Sequence, residues 1–548
     1  MKLVKILHKQ VNSVMSAAFL VALFSLASRF LGIFRDRILA GKFGAGPELD
    51  IYYAAFRIPD LIFNLLILGA LSAGFVPIFT SLIKSFSSSG PAKQREENNS
   101  EAWFLVNNVL GFLVLGVGII SILGIIFAQP LTRLITPGFS PEQQVAVARL
   151  TRIMFLSPLF LGLSGVFSGI LQSFKRFLVY SLSPIFYNLG IIVGALYFTD
   201  RWGLTGLAWG VVLGAFLHFL VQVPIAYQLG YRYRPLLVWR DKNTLTIWRM
   251  MIPRTLSLAV SQVNLVVITI LASGLASGSL AIFNLANNLQ SFPIGIFGIS
   301  FAVAAFPALS LVAFDLEKLS ANFSQTVRQI FFFVIPATVL MIIFRAQIVR
   351  VVLGAGSFDW EDTILTMNTL GFFTLSLFAQ ATLPLLTRVF YARQDSRTPF
   401  YFSVIAVVLN IILSIYLGPK MGVVGLALAF SITSILNFLF LWIAICVKIG
   451  NLDISNILQS VLKFTFSAIV AGLVAQEMKA IIWPFIDMTK FSGVFTQLTV
   501  SASLGIIVYF FLCYLLKSPE ARDLLLALRK RLPFHKIKVE DQTEARGI

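Results

Sequence analysis

Long runs of apolar residues fill most of the chain, and short segments that carry most of the charged residues separate them. A helix that crosses a bilayer needs about 20 predominantly apolar residues. On this criterion the sequence predicts fourteen membrane-spanning helices, near residues 13–43, 50–86, 102–129, 145–173, 178–198, 203–229, 245–273, 279–312, 322–350, 363–392, 398–418, 422–447, 456–482 and 493–516. We therefore predict an all-α polytopic membrane protein whose longer runs are tilted, kinked or extended past the bilayer.

A unit of six spans is repeated within the chain. The motif Gly203-Leu-Thr-Gly206-Leu-Ala208 returns as Gly422-Val-Val-Gly425-Leu-Ala427, an offset of 219 residues, and the loop sequences that end in Phe139 and Phe358 share this offset. Small-residue patterns recur in any helical bundle, but the repeated order of motifs favours a duplication. Because six is even, both copies have the same orientation, as in transporters whose halves meet at a central cleft.

The repeat predicts an N-lobe at residues 1–230 with spans 1–6 and a C-lobe at residues 231–450 with spans 7–12. Spans 13 and 14, at residues 451–517, have no counterpart in the repeat, and a basic tail follows at residues 518–548. The loops on the side of both termini are richer in Lys and Arg than the opposite loops, which is typical of the cytoplasmic side. We expect both termini to lie in the cytoplasm.

Composition excludes several other classes of protein. Of the 548 residues, 57% are hydrophobic and 12% are charged, about half the charged fraction of a soluble protein. The net charge of +19 is accounted for by basic cytoplasmic loops rather than by nucleic-acid binding. We find no metal-ligand spacing and no phosphate-binding glycine motif, and Cys446 and Cys513 lie in apolar segments. We therefore expect no cofactor, no metal site and no ATP hydrolysis within this chain.

Charged residues interrupt the first predicted span. Arg29, Arg35, Asp36 and Arg37 follow an apolar run that is too short to cross the bilayer alone, and the apolar pattern resumes after them. A charge at this depth costs about 2.5–3.5 kcal/mol, so it usually faces a wet cavity or a partner. Snorkelling to the interface would suit Arg35 and Arg37 but not Arg29. Gly32 lies between these charges and would permit a bend.

The second span adds a cation beside a helix breaker. Arg57 precedes Pro59 and Asp60, and Asp50 stands at the start of the span. An ion pair between Arg57 and Asp60 would be a purely structural arrangement, whereas an unpaired Arg57 would favour a binding site. With Asp36, these two acids are the expected supporting or ion-pair residues.

The eighth span has an amide-rich face. Asn284, Asn287, Asn288 and Ser291 recur at helical spacing, either as contacts between helices or as the wall of a cavity. We expect Asn287 and Asn288 to bind substrate. Segments rich in Pro and Gly, at 56–77 and 292–307, occupy corresponding places in the two halves. They predict hinges at Pro59, Pro77, Pro293, Gly295 and Gly298, in addition to the hinge expected at Gly32 in the first span.

Few acidic residues lie within the spans, so the predicted cavity is richer in cations and amides than in acids. Guanidinium groups pair bidentately with phosphate. We therefore expect Arg29, Arg35 and Arg57 to bind an anionic, phosphate-bearing substrate.

Several motifs together resemble the MurJ (MviN) family of lipid II flippases in the MOP exporter superfamily. They are Ser28-Arg29-Phe-Leu-Gly32, Arg35-Asp36, Phe43-Gly44-Ala-Gly46, Ala55-Phe56-Arg57-Ile-Pro59, Gly69-Ala70-Leu-Ser72, Phe75-Val-Pro77, Val260-Ser261-Gln262, Phe292-Pro293-Ile-Gly295 and Tyr391-Ala-Arg393-Gln394-Asp395. The resemblance covers essentially the whole chain and agrees with fourteen spans.

The resemblance implies a flippase that moves the undecaprenyl-pyrophosphate-linked glycopeptide lipid II to the outer leaflet of the bacterial inner membrane, for peptidoglycan synthesis. It implies a central cationic cavity, a groove for the lipid tail along spans 13 and 14, and a non-enzymatic, monomeric protein. Arg29 and Arg35 fall on essential arginines of the family, and Arg57 falls on a basic position.

The chain departs from the family at other positions. Phe63 or Asn64, and Asn288, stand where some members have arginine, and Leu68 stands where they have an acid. Acids of a sodium site proposed in some members also have no counterpart, although Asn264 and Asn410 lie near those positions. Coupling to the membrane potential or to a monovalent ion therefore stays open.

Three alternatives remain from the sequence. The first is another MOP-type exporter, for a polysaccharide lipid or a drug, although a drug exporter predicts an acidic cavity. The second is a membrane enzyme, which would need clustered acids or a large catalytic loop. The third is a scaffold, against which the arginines within the spans argue.

Overall fold

The computed structural model describes residues 14–68, 74–87, 92–450 and 452–531, and these residues form helices and connecting segments without a strand. The helices that precede residue 230 are called the first half. They are α1 (Val14–Phe43), α2 (Pro47–Ile62), α3 (Val76–Ser87), α4 (Ala92–Ile126), α5 (Ala128–Ile135), α6 (Pro141–Met154), α7 (Leu156–Ser173), α8 (Phe177–Val193), α9 (Thr199–Trp202), α10 (Leu204–Leu220) and α11 (Val223–Gln228).

The helices between residues 242 and 449 are called the second half. They are α12 (Lys242–Ser273), α13 (Ser279–Pro293), α14 (Ser300–Leu311), α15 (Leu316–Ile343), α16 (Arg345–Val352), α17 (Trp360–Thr374), α18 (Leu377–Ala392), α19 (Arg397–Met421) and α20 (Val423–Ile449). After them come α21 (Ile454–Ile482), a short 3₁₀ turn (Trp483–Phe485), α22 (Phe491–Leu515) and α23 (Pro519–Arg531).

The predicted all-α membrane architecture is confirmed. Ten helices of the described residues are long and apolar enough to cross a membrane, and α17 with α18, which meet at a bend of 46°, would make eleven. The other three predicted spans correspond to α1, to α2 with α3, and to α12, which carry charges or adjoin residues outside the described part of the chain. The structure is consistent with fourteen spans, and that count stays a prediction.

The internal repeat has the same geometry in both halves. Gly203 and Gly422, 219 residues apart, have φ of 56° and 63°, and each precedes a long helix. Ser140 and Asp359 share this offset, and each begins a helix with a reciprocal capping box. A single phenylalanine breaks α4 from α5 and likewise α15 from α16. The boundaries of the two predicted lobes remain a prediction, which this correspondence supports.

Four glycines allow α8 and its π-helical continuation (Gly194–Phe198) to pack closely against α10. A Cβ atom added to Gly190 would lie 2.2 Å from the Cα of Gly214, and one added to Gly194 would lie 2.4 Å from the Cα of Gly210. The two backbones therefore touch, as in the small-residue interfaces of membrane helices. We call this contact the glycine seam.

The last two long helices pack together and against the second half. α21 and α22 contact each other, α21 lies along α15, and α22 contacts α16. Buried Tyr509 on α22 donates a hydrogen bond to the carbonyl of Phe332 on α15, at 2.7 Å. The predicted tail groove along these helices stays a prediction.

The C-terminal helix α23 is held by an ion pair. Arg328 Nη1 on α15 lies 3.1 Å from Glu520 Oε1, and the Glu520 side chain is only 6% exposed. The basic tail predicted at 518–548 thus begins as a docked helix, and its residues after 531 lie outside the described part of the chain.

We expect Glu520→Gln to lower the free energy of unfolding by about 1–3 kcal/mol, because Arg328 would lose its charged partner. Glu317→Gln, at an exposed position of the same region, is the matched control. The thermal midpoint of the purified protein in detergent checks this. Equal midpoints for the two variants would show that the ion pair contributes nothing.

A pH-dependent contact lies in the loop between α18 and α19. Burial raises the pKa of Asp395, but hydrogen bonds from Lys448 and Thr398 outweigh it and bring this pKa to about 2. A lowered pKa in the folded state stabilises the fold above the ordinary carboxyl pKa of about 4. That stabilisation is lost as the pH falls from about 4 towards 2.

We expect Asp395→Asn to lower the thermal midpoint at pH 7 and to narrow its difference from the wild type as the pH approaches 3. Thermal unfolding at a series of pH values measures this difference. A difference that stays constant down to pH 3 would contradict the predicted role of the carboxylate.

Candidate functional site

A cavity of about 510 Å³ lies between the two halves. Helices α1, α2, α7, α8 and α10 form its first-half wall, and α12 and α13 form its second-half wall. It is lined by Arg35, Leu39, Tyr52, Tyr53, Phe56, Arg57, Asp60, Phe63, Asn64, Leu161, Pro184, Tyr187, Ile191, His218, Leu265, Asn284, Asn287 and Asn288. The predicted cavity residues Arg35, Arg57, Asn287 and Asn288 therefore come together.

Arg35 is fixed on the first-half wall by two partners. Its Nη2 atom lies 2.7 Å from Asp36 Oδ1, and its Nη1 atom donates to Asn188 Oδ1 on α8 at 3.0 Å. The other Asp36 oxygen accepts a hydrogen bond from Asn288 Nδ2 on α13, at 2.9 Å. Asp36 thus joins the halves as well as orienting Arg35, since a buried carboxylate needs partners for both oxygens.

Arg57 crosses from the first half to the second. Its Nε atom donates to Thr269 Oγ1 on α12 and its Nη2 atom donates to Asn284 Oδ1 on α13, both at 2.7 Å. The alternative of an ion pair with Asp60 is not seen: among the described residues Asp60 forms no ion pair. Neutral acceptors on the opposite half form the hydrogen bonds with Arg57 instead.

Arg29 lies beside the cavity rather than in its lining. A Cβ atom added to Gly295 would lie 2.2 Å from Arg29 Nη1, so the guanidinium occupies the space that a side chain would fill. Among the described residues, none forms a hydrogen bond or an ion pair with Arg29. Its role in binding remains a prediction.

Asp50 holds the two halves together in a way that the sequence did not show. Its oxygens accept hydrogen bonds from the backbone N–H of Gly278, at 2.6 Å, and of Ala281, at 2.8 Å. These are free donors at the positive end of α13, which a carboxylate stabilises. Of the two roles expected for Asp50, supporting residue or ion-pair partner, these contacts fit the first, and among the described residues Asp50 forms no ion pair.

Backbone contacts join the halves at the end of the molecule that holds Asp50. Ser357 N donates to Gly41 O at 2.8 Å, and Ala45 N donates to Asp362 Oδ2 at 2.9 Å. A Cβ atom added to Gly278 would lie 1.9 Å from Ala45 O. We call residues 41–50 with residues 273–281 and 354–362 the closed end.

Arg37 strengthens the closed end rather than lining the cavity. Its Nη1 atom donates to the carbonyl of Val351 at 2.6 Å, near the C-terminus of α16. Its guanidinium carbon also lies 5.0 Å from the centre of the Phe491 ring on α22. A cation at a helix C-terminus and over an aromatic face is favourable on both counts.

Five of the six predicted hinge residues lie in or beside irregular helix or in the first turn of a helix. π-helical turns occupy Phe63–Leu68 after α2 and Ile294–Ile299 after α13, at corresponding places in the two halves. Such turns often occur at functional sites. Pro59 and Pro293 precede these turns, Gly295 and Gly298 lie within the second, and Pro77 lies in the first turn of α3. Helix α1 is continuous through Gly32, and hinge motion at all six positions stays a prediction.

Sequence reasoning missed Thr269, Tyr187 and Asn188 as site residues. Their partners are far away in the chain: 212 residues separate Thr269 from Arg57, and 153 separate Asn188 from Arg35. No motif or spacing in the sequence marked these three residues as parts of one site.

Comparison with known proteins gives one consistent family. The model of the lipid II flippase MurJ family matches residues 39–501. A probable lipid II flippase MurJ of Vibrio cholerae is 30% identical over 443 residues, which cover 78% of this chain and 82% of the relative. The lipid II flippase MurJ of Burkholderia cenocepacia is 26% identical over 432 residues, which cover 77% of this chain and 82% of that relative.

Solved structures agree on the fold. A lipid II flippase MurJ in an inward closed conformation superposes with a TM-score of 0.74 at 24% identity, over 92% of this chain and all of the other. An inward-facing MATE multidrug transporter of the MOP superfamily gives a TM-score of 0.66 at 15% identity, over 78% of this chain and 96% of the other. Because the family model spans most of the sequence, this chain belongs to the lipid II flippase MurJ family.

Proposed function

We propose that the protein is a flippase that translocates lipid II from the inner to the outer leaflet of the cytoplasmic membrane. Its family membership supports the activity, and one feature of the structure carries the chemistry. That feature is a cavity between two repeated halves, whose first-half wall carries both Arg35 and Arg57. Asp36 and Asn188 hold Arg35, and two neutral acceptors of the second half hold Arg57.

The two guanidiniums would bind the pyrophosphate. Arg57 donates through Nε and Nη2, and its Nη1 atom donates to no described residue. Arg35 is partly neutralised by Asp36, but Asp36 also accepts a bond from Asn288, which divides its interaction between two donors. Planar guanidiniums match phosphate oxygens in geometry as well as in charge.

The halves would act by alternating access. We take the closed end to be the outer face, which leaves the cavity to receive substrate from the cytoplasmic leaflet, with both termini in the cytoplasm. Rocking of the halves about the π-helical turns would open the closed end and carry the head group across. The polyprenyl tail would stay in lipid along α21 and α22.

A monovalent ion would fit a second cavity, of about 260 Å³, in the second half. Asn264 and Asn410 both line it, and each has a buried Oδ1 atom without a hydrogen-bond partner. Its lining supplies amide and hydroxyl oxygens and no carboxylate. A bound cation would add positive charge there, and these two amides would hold it.

A flippase for another polyprenyl-linked glycan is the second candidate. Phe63 and Asn288 line the cavity where the resemblance to the family leads one to expect arginine. An amide-rich wall suits neutral sugar hydroxyls as well as phosphate.

Proteoliposomes that contain the purified protein and fluorescent lipid II test the proposal. We expect translocation by the wild type and none in protein-free vesicles, with a polyprenyl pyrophosphate that carries a different glycan as the parallel substrate. The variant Arg29→Ala tests whether the charge of Arg29 in the first span is needed for translocation. Movement of the second glycan without movement of lipid II would overturn the proposed cargo.

A further inference from the structure

A chain of polar side chains runs through the first half and ends at the cavity wall. Ser168 Oγ donates to Gln222 Oε1 at 2.9 Å, and Gln222 Nε2 donates to Ser164 Oγ. Ser164 Oγ lies 2.6 Å from Nδ1 of His218. Ser164 and Gln222 are fully buried, whereas His218 lines the cavity.

Counting protons along this chain favours one tautomer of His218. Gln222 Nε2 carries two hydrogens, which serve Ser164 Oγ and the backbone carbonyl of His218, the latter at 3.0 Å. The single proton of Ser164 is therefore free to point at His218 Nδ1, its shorter contact at 2.6 Å compared with 3.1 Å to that carbonyl. Nδ1 is then the acceptor, and a neutral imidazole in this state carries its proton on Nε2.

The Nε2 atom is the ring nitrogen of His218 that this chain leaves open. Nδ1 is bound on the side of Ser164, and no described residue forms a hydrogen bond with Nε2. Tyr187, another cavity residue, packs edge-on against the ring, with centroids 6.5 Å apart. The ring is thus held through Nδ1 and by Tyr187, which leaves Nε2 open on a residue of the cavity wall.

We propose that His218 is a substrate-binding residue that donates a hydrogen bond from Nε2, as a neutral imidazole, to an acceptor oxygen of the substrate head group. Ser164 and Gln222 are positioning residues that set its tautomer. The acceptor is an oxygen of the pyrophosphate or of the attached sugar. This proposal rests on the proposed function, because it names a further contact in the same cavity.

A purely structural role does not explain this arrangement. Buried polar groups are costly unless every one is paired, and an apolar helix contact would avoid that cost. Here the side chains of Ser168, Gln222 and Ser164 are paired with one another, and the chain that they form ends at His218 on the cavity wall. Preorganising a donor in this way strengthens binding, since less freedom is lost when the ligand arrives.

Nuclear magnetic resonance of the full-length protein in lipid nanodiscs reads the tautomer directly. The chain has three histidines, so His8→Gln with His535→Gln leaves His218 as the only labelled ring. We expect carbon–nitrogen correlations to place the proton on Nε2. Ser164→Ala is expected to move it at least partly to Nδ1, whereas Ser173→Ala, on the same helix but bonded to Thr80, leaves it in place. A proton on Nδ1 in the otherwise unchanged protein would overturn the proposal.

Binding assays test the contact itself. We expect His218→Phe to weaken fluorescent lipid II binding about 5- to 10-fold, and His218→Gln, which keeps a donor, to restore most of it. Undecaprenyl pyrophosphate, which lacks the glycan, separates the two acceptors: an equal loss places the acceptor on the pyrophosphate, and no loss places it on the sugar. Unchanged lipid II binding by His218→Phe would overturn the proposal. If the wild type fails to move lipid II at all, the proposed function fails, while the tautomer measurement still decides the geometry.

Discussion

Arg35→Ala is expected to reduce lipid II translocation about 100-fold or more while leaving the protein folded. A hydrogen bond to a charged group contributes about 1.5–3 kcal/mol, and each 1.4 kcal/mol is tenfold. Loss of a bidentate contact to pyrophosphate therefore accounts for two orders of magnitude. Asp36 would keep its contact with Asn288, so the junction between the halves would persist.

Proteoliposome translocation measures this effect, with Arg35→Lys and Arg388→Ala beside it. Arg35→Lys keeps the charge but not the planar fork, so we expect intermediate activity. Arg388 lies within a span of the second half and donates to the carbonyl of Pro384, away from the cavity. A loss in Arg388→Ala as large as that in Arg35→Ala would show that any buried arginine has this effect.

Gly278→Ala is expected to open the closed end and to lower translocation about tenfold or more. Gly278 has φ of +87°, a conformation that costs a residue with a side chain about 1–2 kcal/mol. The added Cβ would also lie 1.9 Å from Ala45 O, so the two halves cannot approach as closely. The Asp50 bond to Gly278 N would be strained by the same displacement.

Double electron–electron resonance between spin labels at Glu48→Cys and Glu361→Cys, in a background without native cysteines, measures the opening. Both positions are exposed and lie on opposite sides of the closed end. Gly203→Ala is the matched control, since Gly203 has φ of +56° but a Cβ there meets no atom within 4 Å. A distance distribution shared by both glycine variants and the wild type would contradict the role of Gly278.

Much of the fold could be predicted from the sequence, because each membrane-spanning helix is marked by its own run of apolar residues. Apolar runs gave the spans, and the shared offset of Gly203 and Gly422 gave the repeat, which the matching φ angles support. The approximate place of the hinge segments followed from proline and glycine, although the π-helical geometry did not.

The partners within the cavity were less predictable, because they depend on how distant helices pack. An ion pair of Arg57 with Asp60, about one turn away, was left open from the sequence, whereas packing gives Arg57 the partners Thr269 and Asn284. Asp50 stood out in the sequence as an acid at the start of a span, but its hydrogen-bond donors are backbone N–H groups of the second half, which the sequence does not reveal. Residue spacing predicts which side chains share a face of one helix, but it does not predict which side chains of different helices form hydrogen bonds.

The glycine seam has a consequence for how the first half moves. It packs α8, which carries Asn188, directly against α10, which carries His218. Because the two backbones are in direct contact, no side chains lie between them that could repack, and we expect the two helices to move as one rigid body. Under the proposed function, Asn188, which holds Arg35, and His218 keep a constant separation whichever way the molecule faces, so the wall that receives a head group has the same shape when the head group leaves. Discharge must therefore come from withdrawal of the opposite wall, not from distortion of this one.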